Sequence, residues 1–172
     1  MPRRVMDKPH QRIGSKSNAH VGRDFELAAQ SFFADKGLAL ELNVKIPVGI
    51  SKIKKDHAFD LGCLDKKVLV ECKSHKWTAP NDNVPSAKLT VWNEAMYYFL
   101  ATSPGYRKIM FVLLDYSEKR KETLAEYYIR AYSHLIPEGV ELWEYDESKM
   151  SAVQLAFNKF SQQDAQKAAR LC

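Results

Sequence analysis

The sequence lacks the features of membrane-spanning, secreted and zinc-binding proteins. No apolar run approaches the roughly 18 residues that cross a bilayer, and no apolar stretch follows the basic N-terminus as in a secretory signal. The three cysteines, Cys63, Cys72 and Cys172, form no Cys-x-x-Cys pair and no Cys/His spacing typical of zinc. Two of them fall in predicted strands, and free buried thiols are typical of a reducing compartment. We therefore expect a cytoplasmic protein without membrane contact.

Motifs for several other chemistries are also missing. The sequence contains no Gly-rich phosphate loop and no Gly-x-Ser-x-Gly elbow. Its five histidines show no spacing typical of metal ligands. These absences argue against a P-loop nucleotide site, a serine hydrolase of the elbow type and a histidine-bound metal.

The composition is that of one globular domain, with the net charge concentrated near the N-terminus. Of the 172 residues, 45% are hydrophobic and 27% are charged, which is ordinary for a globular protein. The formal net charge is +5, and residues 1–20 contribute most of it because their basic residues are opposed only by Asp7. We expect residues 1–20 to be a flexible basic arm suited to a polyanion and residues 21–172 to be a single domain. A solvated terminus without function accounts for the same charge.

Hydrophobic periodicity predicts an α/β fold with a mixed central sheet flanked by helices. A continuous apolar run at 109–114 predicts a strand buried on both faces, and Met150 and Val153 are expected to face inward from a final helix at 148–170. A polar loop is expected at 74–85. The other predicted elements are a helix at 23–36, a strand at 38–48, two hairpin strands between 57 and 73, a helix opened by Ser86, a helix opened by the capping box Thr123–Glu126, and a short peripheral strand at 140–145.

Two carboxylates meet in the predicted hairpin only if its register is right. With a two-residue turn at Asp65-Lys66, Asp60 falls directly opposite Glu71. With a three-residue turn and no bulge, Asp60 would oppose Cys72 and face away from Glu71. We expect the first register, or a bulge that restores it.

Facing carboxylates repel each other unless a cation compensates. Mg²⁺, with Mn²⁺ as a substitute, takes one or two carboxylates together with waters and a substrate phosphate, so Asp60 and Glu71 are candidate ligands. The backbone carbonyl of Cys72 is a third. Lys73 shares a strand face with Glu71 and could orient a water or stabilise developing phosphate charge. A nearby dication would lower the pKa of Lys73.

With these residues the sequence resembles the PD-(D/E)xK nuclease superfamily. The resemblance is carried by Asp60 and by the run Glu71–Lys73, and it covers roughly residues 22–115. Glu26, on the preceding predicted helix, matches the helical glutamate of many members. The resemblance implies the restriction-endonuclease-like fold with its αβββαβ core, here followed by extra C-terminal helices.

The resemblance also implies roles for individual residues. Asp60 and Glu71 would be metal ligands, Glu26 would bind the metal directly or through water, and Lys73 would be the catalytic lysine. Phe59 stands before Asp60 in place of the eponymous proline, which is a common departure in the superfamily. A Glu-x-Lys at the end of a strand is an exposed ion pair in most other proteins.

Basic residues and a histidine on either side of the hairpin are candidates for nucleic-acid contact. Three of them precede the Asp60 strand and three follow Lys73. Solvated surface charges account for the lysines equally well. The six candidates are Lys52, Lys54, Lys55, His75, Lys76 and Lys88.

These residues predict a Mg²⁺-dependent endonuclease of restriction, resolvase or repair type that hydrolyses phosphodiester bonds, with DNA as the expected substrate and RNA as the open alternative. The alternative is a non-catalytic nucleic-acid-binding module that retains the nuclease fold. A third hypothesis is a partner-binding protein whose charged hairpin is an ordinary salt-bridge cluster. Double-strand cutting would suit a homodimer, with the predicted helices at 119–135 and 148–170 as its interface.

Overall fold

The structure, a computed structural model, describes residues 18–156, with side chains from His20 onward. Within this range the strands lie in the middle and the helices lie outside them. The elements are α1 (Asn18–Asp35), β1 (Glu41–Val48), β2 (Lys55–Cys63), β3 (Val68–Lys73), α2 (Ser86–Ala101), β4 (Arg107–Leu113), β5 (Tyr116–Ser117), β6 (Glu122–Thr123), α3 (Leu124–Tyr132), a 3-10 helix (Ser133–Leu135), β7 (Val140–Asp146) and β8 (Ser151–Gln154).

Six of these strands form a mixed sheet in the order β1-β2-β3-β4-β7-β8. The β3–β4 and β4–β7 pairs are parallel, and the β1–β2, β2–β3 and β7–β8 pairs are antiparallel. Helices α2 and α3 pack on one face of the sheet and α1 packs on the other. The predicted α/β class and mixed sheet are confirmed, and no helix in residues 18–156 is long and apolar enough to cross a bilayer.

Helix α1 begins five residues before the predicted start at 23. Its predicted apolar stripe is confirmed, because Phe25, Ala29 and Phe33 are buried against the sheet. Residues 18–20, the end of the predicted basic arm, belong to this helix. The rest of the arm lies outside the described residues.

The predicted register of the β2–β3 hairpin is confirmed. Leu61 pairs with Val70 and Cys63 pairs with Val68, which is the register that aligns Asp60 with Glu71. The connection between the strands is four residues long instead of two, and its last residue, Lys67, has a left-handed φ of 51°. An even number of connecting residues keeps the same side chains on the same face, so the prediction survives the longer turn.

The strand predicted at 140–145 is confirmed as β7 (Val140–Asp146), but its predicted peripheral position is wrong, because it lies between β4 and β8. The predicted final helix is wrong in the part that the structure describes. Residues 148–154 do not begin a helix: they form a tight turn followed by β8, and Met150 and Val153 are strongly exposed. The Asp146 carboxylate accepts the backbone N–H of Ser148, which favours a turn over a helix. Residues 157–170 of the predicted helix and interface lie outside the described residues.

Helix α3 keeps its predicted start. Thr123 and Glu126 form the expected capping box, in which each side chain bonds the backbone N–H of the other. Helix α2 starts as predicted at Ser86, but Ser86 is its first helical residue and not its cap, a position held by Pro85 without a side-chain hydrogen bond. The short β5–β6 hairpin before α3 was not predicted.

Candidate metal and nucleic-acid site

Asp60 lies where the regular pairing of β2 is interrupted on both sides. The β2–β3 ladder ends at Leu61, and the β1–β2 ladder skips the pair Asn43–Asp60. Residues two apart on a strand normally share one face, yet Phe59 packs on the α2 side of the sheet and Leu61 on the α1 side. The strand therefore twists at Asp60, so that the residues on either side of it face opposite sides of the sheet. Its carboxylate accepts the backbone N–H of Cys72 at 2.7 Å, where backbone pairing has stopped.

The predicted triad of Asp60, Glu71 and Lys73 comes together at the end of β3. Lys73 Nζ lies 2.6 Å from Glu71 Oε2 and 3.7 Å from Asp60 Oδ2. Glu71 is only 6% exposed, whereas the Asp60 side chain is partly open to solvent. One ammonium group thus holds two carboxylates that would otherwise repel each other.

His57 is a site residue that the sequence analysis missed. Its Nε2 atom lies 3.2 Å from Glu71 Oε1, and its ring stacks on Tyr98 at a centroid distance of 3.6 Å. Phe59 packs edge-on against the same ring. The period-two alternation of β2 places His57 on the face of Phe59, but only the folded strands reveal its contact with Glu71.

The electrostatic state of the triad follows from burial and from these contacts. Burial and the neighbouring Glu71 raise the pKa of Asp60 to about 6. Burial alone would raise the pKa of Glu71, but the His57 hydrogen bond and the Lys73 charge outweigh it and lower that pKa. Burial would lower the pKa of Lys73, but the two carboxylates outweigh it and raise that pKa. The predicted lowering of the Lys73 pKa depends on a bound dication and stays a prediction.

A cleft of about 510 Å³ opens between the first turns of α1 and α2 and leads to this site. Glu26 lines it from α1 and forms an ion pair with Arg23 at 3.1 Å. Glu71 does not line the cleft and lies behind Lys73. The predicted site residues that do line it are Glu26, Asp60, Cys72, Lys73, His75, Lys76 and Lys88.

His75 is held as a neutral hydrogen-bond donor in the cleft wall. The indole N–H of Trp92 donates to His75 Nδ1 at 2.8 Å, and an indole can only donate. Burial, together with the charges of Lys88 and Lys73, lowers the pKa of His75 to about 4. The ring proton is therefore on Nε2 near pH 7.

Three of the predicted nucleic-acid contacts lie elsewhere. Lys52, Lys54 and Lys55 belong to the β1–β2 loop and the start of β2, and none of them lines the Asp60 cleft. The Lys54 ammonium donates to the carbonyl of Gly49 within that loop. Lys55 lines a second cleft, which reaches the triad only through His57.

The donor set fits magnesium better than a metal held by many side chains. Among the described residues no group of three or more His, Cys, Asp or Glu side chains is arranged to hold a metal, so Glu26 does not complete a three-carboxylate site. Mg²⁺ needs only one or two carboxylates, with waters and phosphate completing its shell. Burial and, after it, the Glu71 charge raise the pKa of Asp60 despite Lys73, and a cation bound beside Asp60 would favour its ionised form.

Comparisons with known proteins add no relative. No protein-family model, no curated protein and no solved structure matches the chain. Its function is therefore inferred from the geometry of its own residues.

Proposed function

We propose that this chain is a Mg²⁺-dependent nuclease that hydrolyses phosphodiester bonds in DNA. The observation that carries the proposal is the position of Lys73. Its ammonium lies between the Asp60 and Glu71 carboxylates, at 3.7 Å and 2.6 Å. It also lines an open cleft whose other walls carry Lys76 and Lys88.

The order of elements supports a restriction-endonuclease-like fold. From α1 to β4 the chain follows the αβββαβ order of the PD-(D/E)xK superfamily, which the sequence resembles. Asp60 and Glu71 lie on neighbouring strands of the sheet, and Glu26 faces their cleft from α1. The additional strands β7 and β8 extend the sheet beyond that core.

In this proposal Asp60 and Glu71 would hold Mg²⁺, with the Cys72 carbonyl as a further oxygen donor and Glu26 acting through a water. Bound Mg²⁺ supplies positive charge at the phosphate and makes a water easier to deprotonate. Lys73, which lines the cleft, would orient the attacking water or stabilise charge on the phosphate. The contact with His57 would hold the Glu71 carboxylate in position beside Asp60 and Lys73.

The other cleft residues would hold the phosphate backbone. Lys76 and Lys88 offer positive charge, which favours phosphate regardless of sequence. His75 offers its Nε2–H without a net charge, because Trp92 occupies the other ring nitrogen. A mixture of charged and neutral donors would fix the position of the strand.

A non-catalytic nucleic-acid-binding module is the second candidate. It is favoured by one observation: both Glu71 oxygens already have partners, His57 and Lys73, so the carboxylate is satisfied without a metal. An ordinary salt-bridge cluster in a partner-binding protein is the third. Substituting Asp60 separates these cases. Loss of cleavage with binding retained supports the nuclease, whereas a more stable variant with no cleavage by either protein supports the salt-bridge cluster.

The deciding experiment is cleavage of supercoiled plasmid with Mg²⁺ or Mn²⁺. We expect the wild type to cut, and EDTA, Asp60→Ala and Lys73→Ala each to abolish cutting. Lys121→Ala, an exposed lysine paired with Glu118, is the control and should cut normally. A folded wild type that binds plasmid without cutting it would refute the nuclease and favour the binding module.

A further inference from the structure

A second cleft, of about 430 Å³, lies between the β1–β2 loop and the C-terminal half of α2. The loop contributes Ile50 and Ile53, and the helix contributes Tyr97 and Tyr98. The imidazole of His57 forms the wall nearest to the triad. The proposed chemistry at Asp60 makes no use of this cleft.

The apolar side chains of the loop are unusually exposed. Ile50 is 70% exposed and Ile53 is 76% exposed, although both line a concave surface that could bury them. Exposed apolar groups that cluster in one place indicate an interaction site. The loop itself is held together by the hydrogen bond from Lys54 to the Gly49 carbonyl.

The opposite wall of the cleft is aromatic. The rings of His57 and Tyr98 are stacked with an angle of 12° between them. Tyr97 is 53% exposed and lines the same cleft. A slot between apolar and aromatic side chains is the kind of site that accepts an unstacked nucleobase, because every base presents a flat face for stacking.

The charge around the cleft fits a polyanion. Lys52, Lys54 and Lys55 come from the loop and from the start of β2, and Asp56 is the acidic residue on the wall. Lysines interleaved with apolar side chains suit a strand that has phosphates on one side and bases on the other.

The cleft is also close to the proposed reaction centre. His57 lines it with one side of its ring and approaches Glu71 Oε1 to 3.2 Å with its Nε2 atom. A single imidazole therefore separates the slot from a proposed metal ligand.

We propose that this cleft binds an unstacked base of the same DNA strand whose phosphate lies at Asp60 and Glu71. The inference rests on the proposed nuclease function and names its substrate class: DNA with unpaired nucleotides beside the scissile bond. Fully paired duplex keeps its bases stacked and would leave the slot empty.

Binding measured in EDTA tests the slot separately from catalysis. The probe is a short fluorescent DNA strand, free or annealed to its complement, and the readout is the ratio of the two affinities by anisotropy. We expect the wild type to favour the free strand. The double variant Ile53→Ser, Tyr97→Ser should reduce that ratio roughly tenfold, as expected for the loss of about one stacked base.

Met150→Ser is the matched control, because Met150 is 75% exposed and adjoins β8, at the other edge of the sheet. If the ratio of the two affinities is the same for the wild type and the double variant, the cleft does not bind a base. The proposal is also overturned if the wild type binds anionic lipid vesicles and the double variant does not. If the protein cuts plasmid but has no preference for free strands, the base-binding cleft is refuted and the nuclease stands. If it prefers free strands but does not cut, the nuclease is refuted and the base-binding cleft stands.

Discussion

Two buried glutamates at the same end of the sheet behave in opposite ways. Glu71 on β3 is 6% exposed and Glu144 on β7 is 7% exposed. Their strands run parallel, with β4 between them. Both carboxyl groups are equally withdrawn from water, so the difference between them comes from their partners.

The partners decide which carboxyl group is ionised. Glu71 is bonded to His57 and Lys73, and its pKa is lowered despite burial. Glu144 Oε1 has no hydrogen-bond partner among the described residues. Burial raises the pKa of Glu144 to about 7, and its hydrogen bond with Thr123 offsets this only in part.

A buried acid therefore does not by itself indicate a reaction centre. Glu71 is joined to a second carboxylate by a lysine that lines an open cleft. Among residues 18–156, Glu144 has no cation within ion-pair distance, and it does not line that cleft. A paired, ionised acid beside an open cleft can hold a metal, whereas a lone buried acid has a raised pKa and is still partly protonated near pH 7.

Removing the Lys73 ammonium should cause the largest loss of stability. Lys73→Met leaves the Asp60–Glu71 pair uncompensated, and we expect a loss of roughly 3 kcal/mol in the free energy of unfolding at neutral pH. Urea denaturation measures it. Lys108→Met, at a half-buried lysine whose pKa is lowered by burial, should cost less than roughly 1 kcal/mol. A Lys73→Met loss that persists after the carboxylates are protonated at low pH would contradict this explanation.

Glu144→Gln should have an effect of similar size, with the opposite sign. A carboxyl group whose pKa is raised from 4.5 to about 7 on folding stabilises the protein in its protonated form, and that stability is lost as the pH rises through 7. The variant should therefore be more stable than the wild type by about 3 kcal/mol above pH 7. Below pH 4.5 the two should be equal. A difference that does not change with pH would show that Glu144 is not protonated near neutrality.

Replacing His57 tests whether its contact with Glu71 contributes to metal binding. His57→Phe keeps a ring over Tyr98 and removes the contact with Glu71. Groups that orient a metal ligand typically contribute tenfold or more to affinity, so Mg²⁺ should bind about tenfold more weakly by calorimetry. His134→Phe, at an exposed histidine on the 3-10 helix, is the control. Unchanged Mg²⁺ affinity in His57→Phe would remove His57 from the site.

The smallest effect is expected from the lysines of the cleft. Lys88→Ala should reduce the slope of log affinity for DNA against log salt by about 1, as for the loss of one phosphate contact. Lys121→Ala, at an exposed lysine paired with Glu118, should leave the slope unchanged. Equal slopes in both variants would mean that Lys88 does not contact phosphate.

Local patterns predicted much of the frame around the site. The apolar spacing of Phe25, Ala29 and Phe33 predicted α1, and the capping box predicted the start of α3. These patterns succeed because helical spacing and caps act within a few residues. The same rule failed at Met150 and Val153, because Met150 lies in the turn before β8 and Val153 lies in β8, which pairs with β7.

The sequence by itself determined that a hairpin forms and limited its pairing to two registers. The register that occurs has an even-length turn, which brings Asp60 and Glu71 to the same level on neighbouring strands. Tertiary structure decided how these groups are used. The twist of β2 at Asp60, the contact of His57 with Glu71 and the place of β7 inside the sheet depend on residues far apart in the chain. Such contacts form only when helices cover both sheet faces, so no local pattern encodes them.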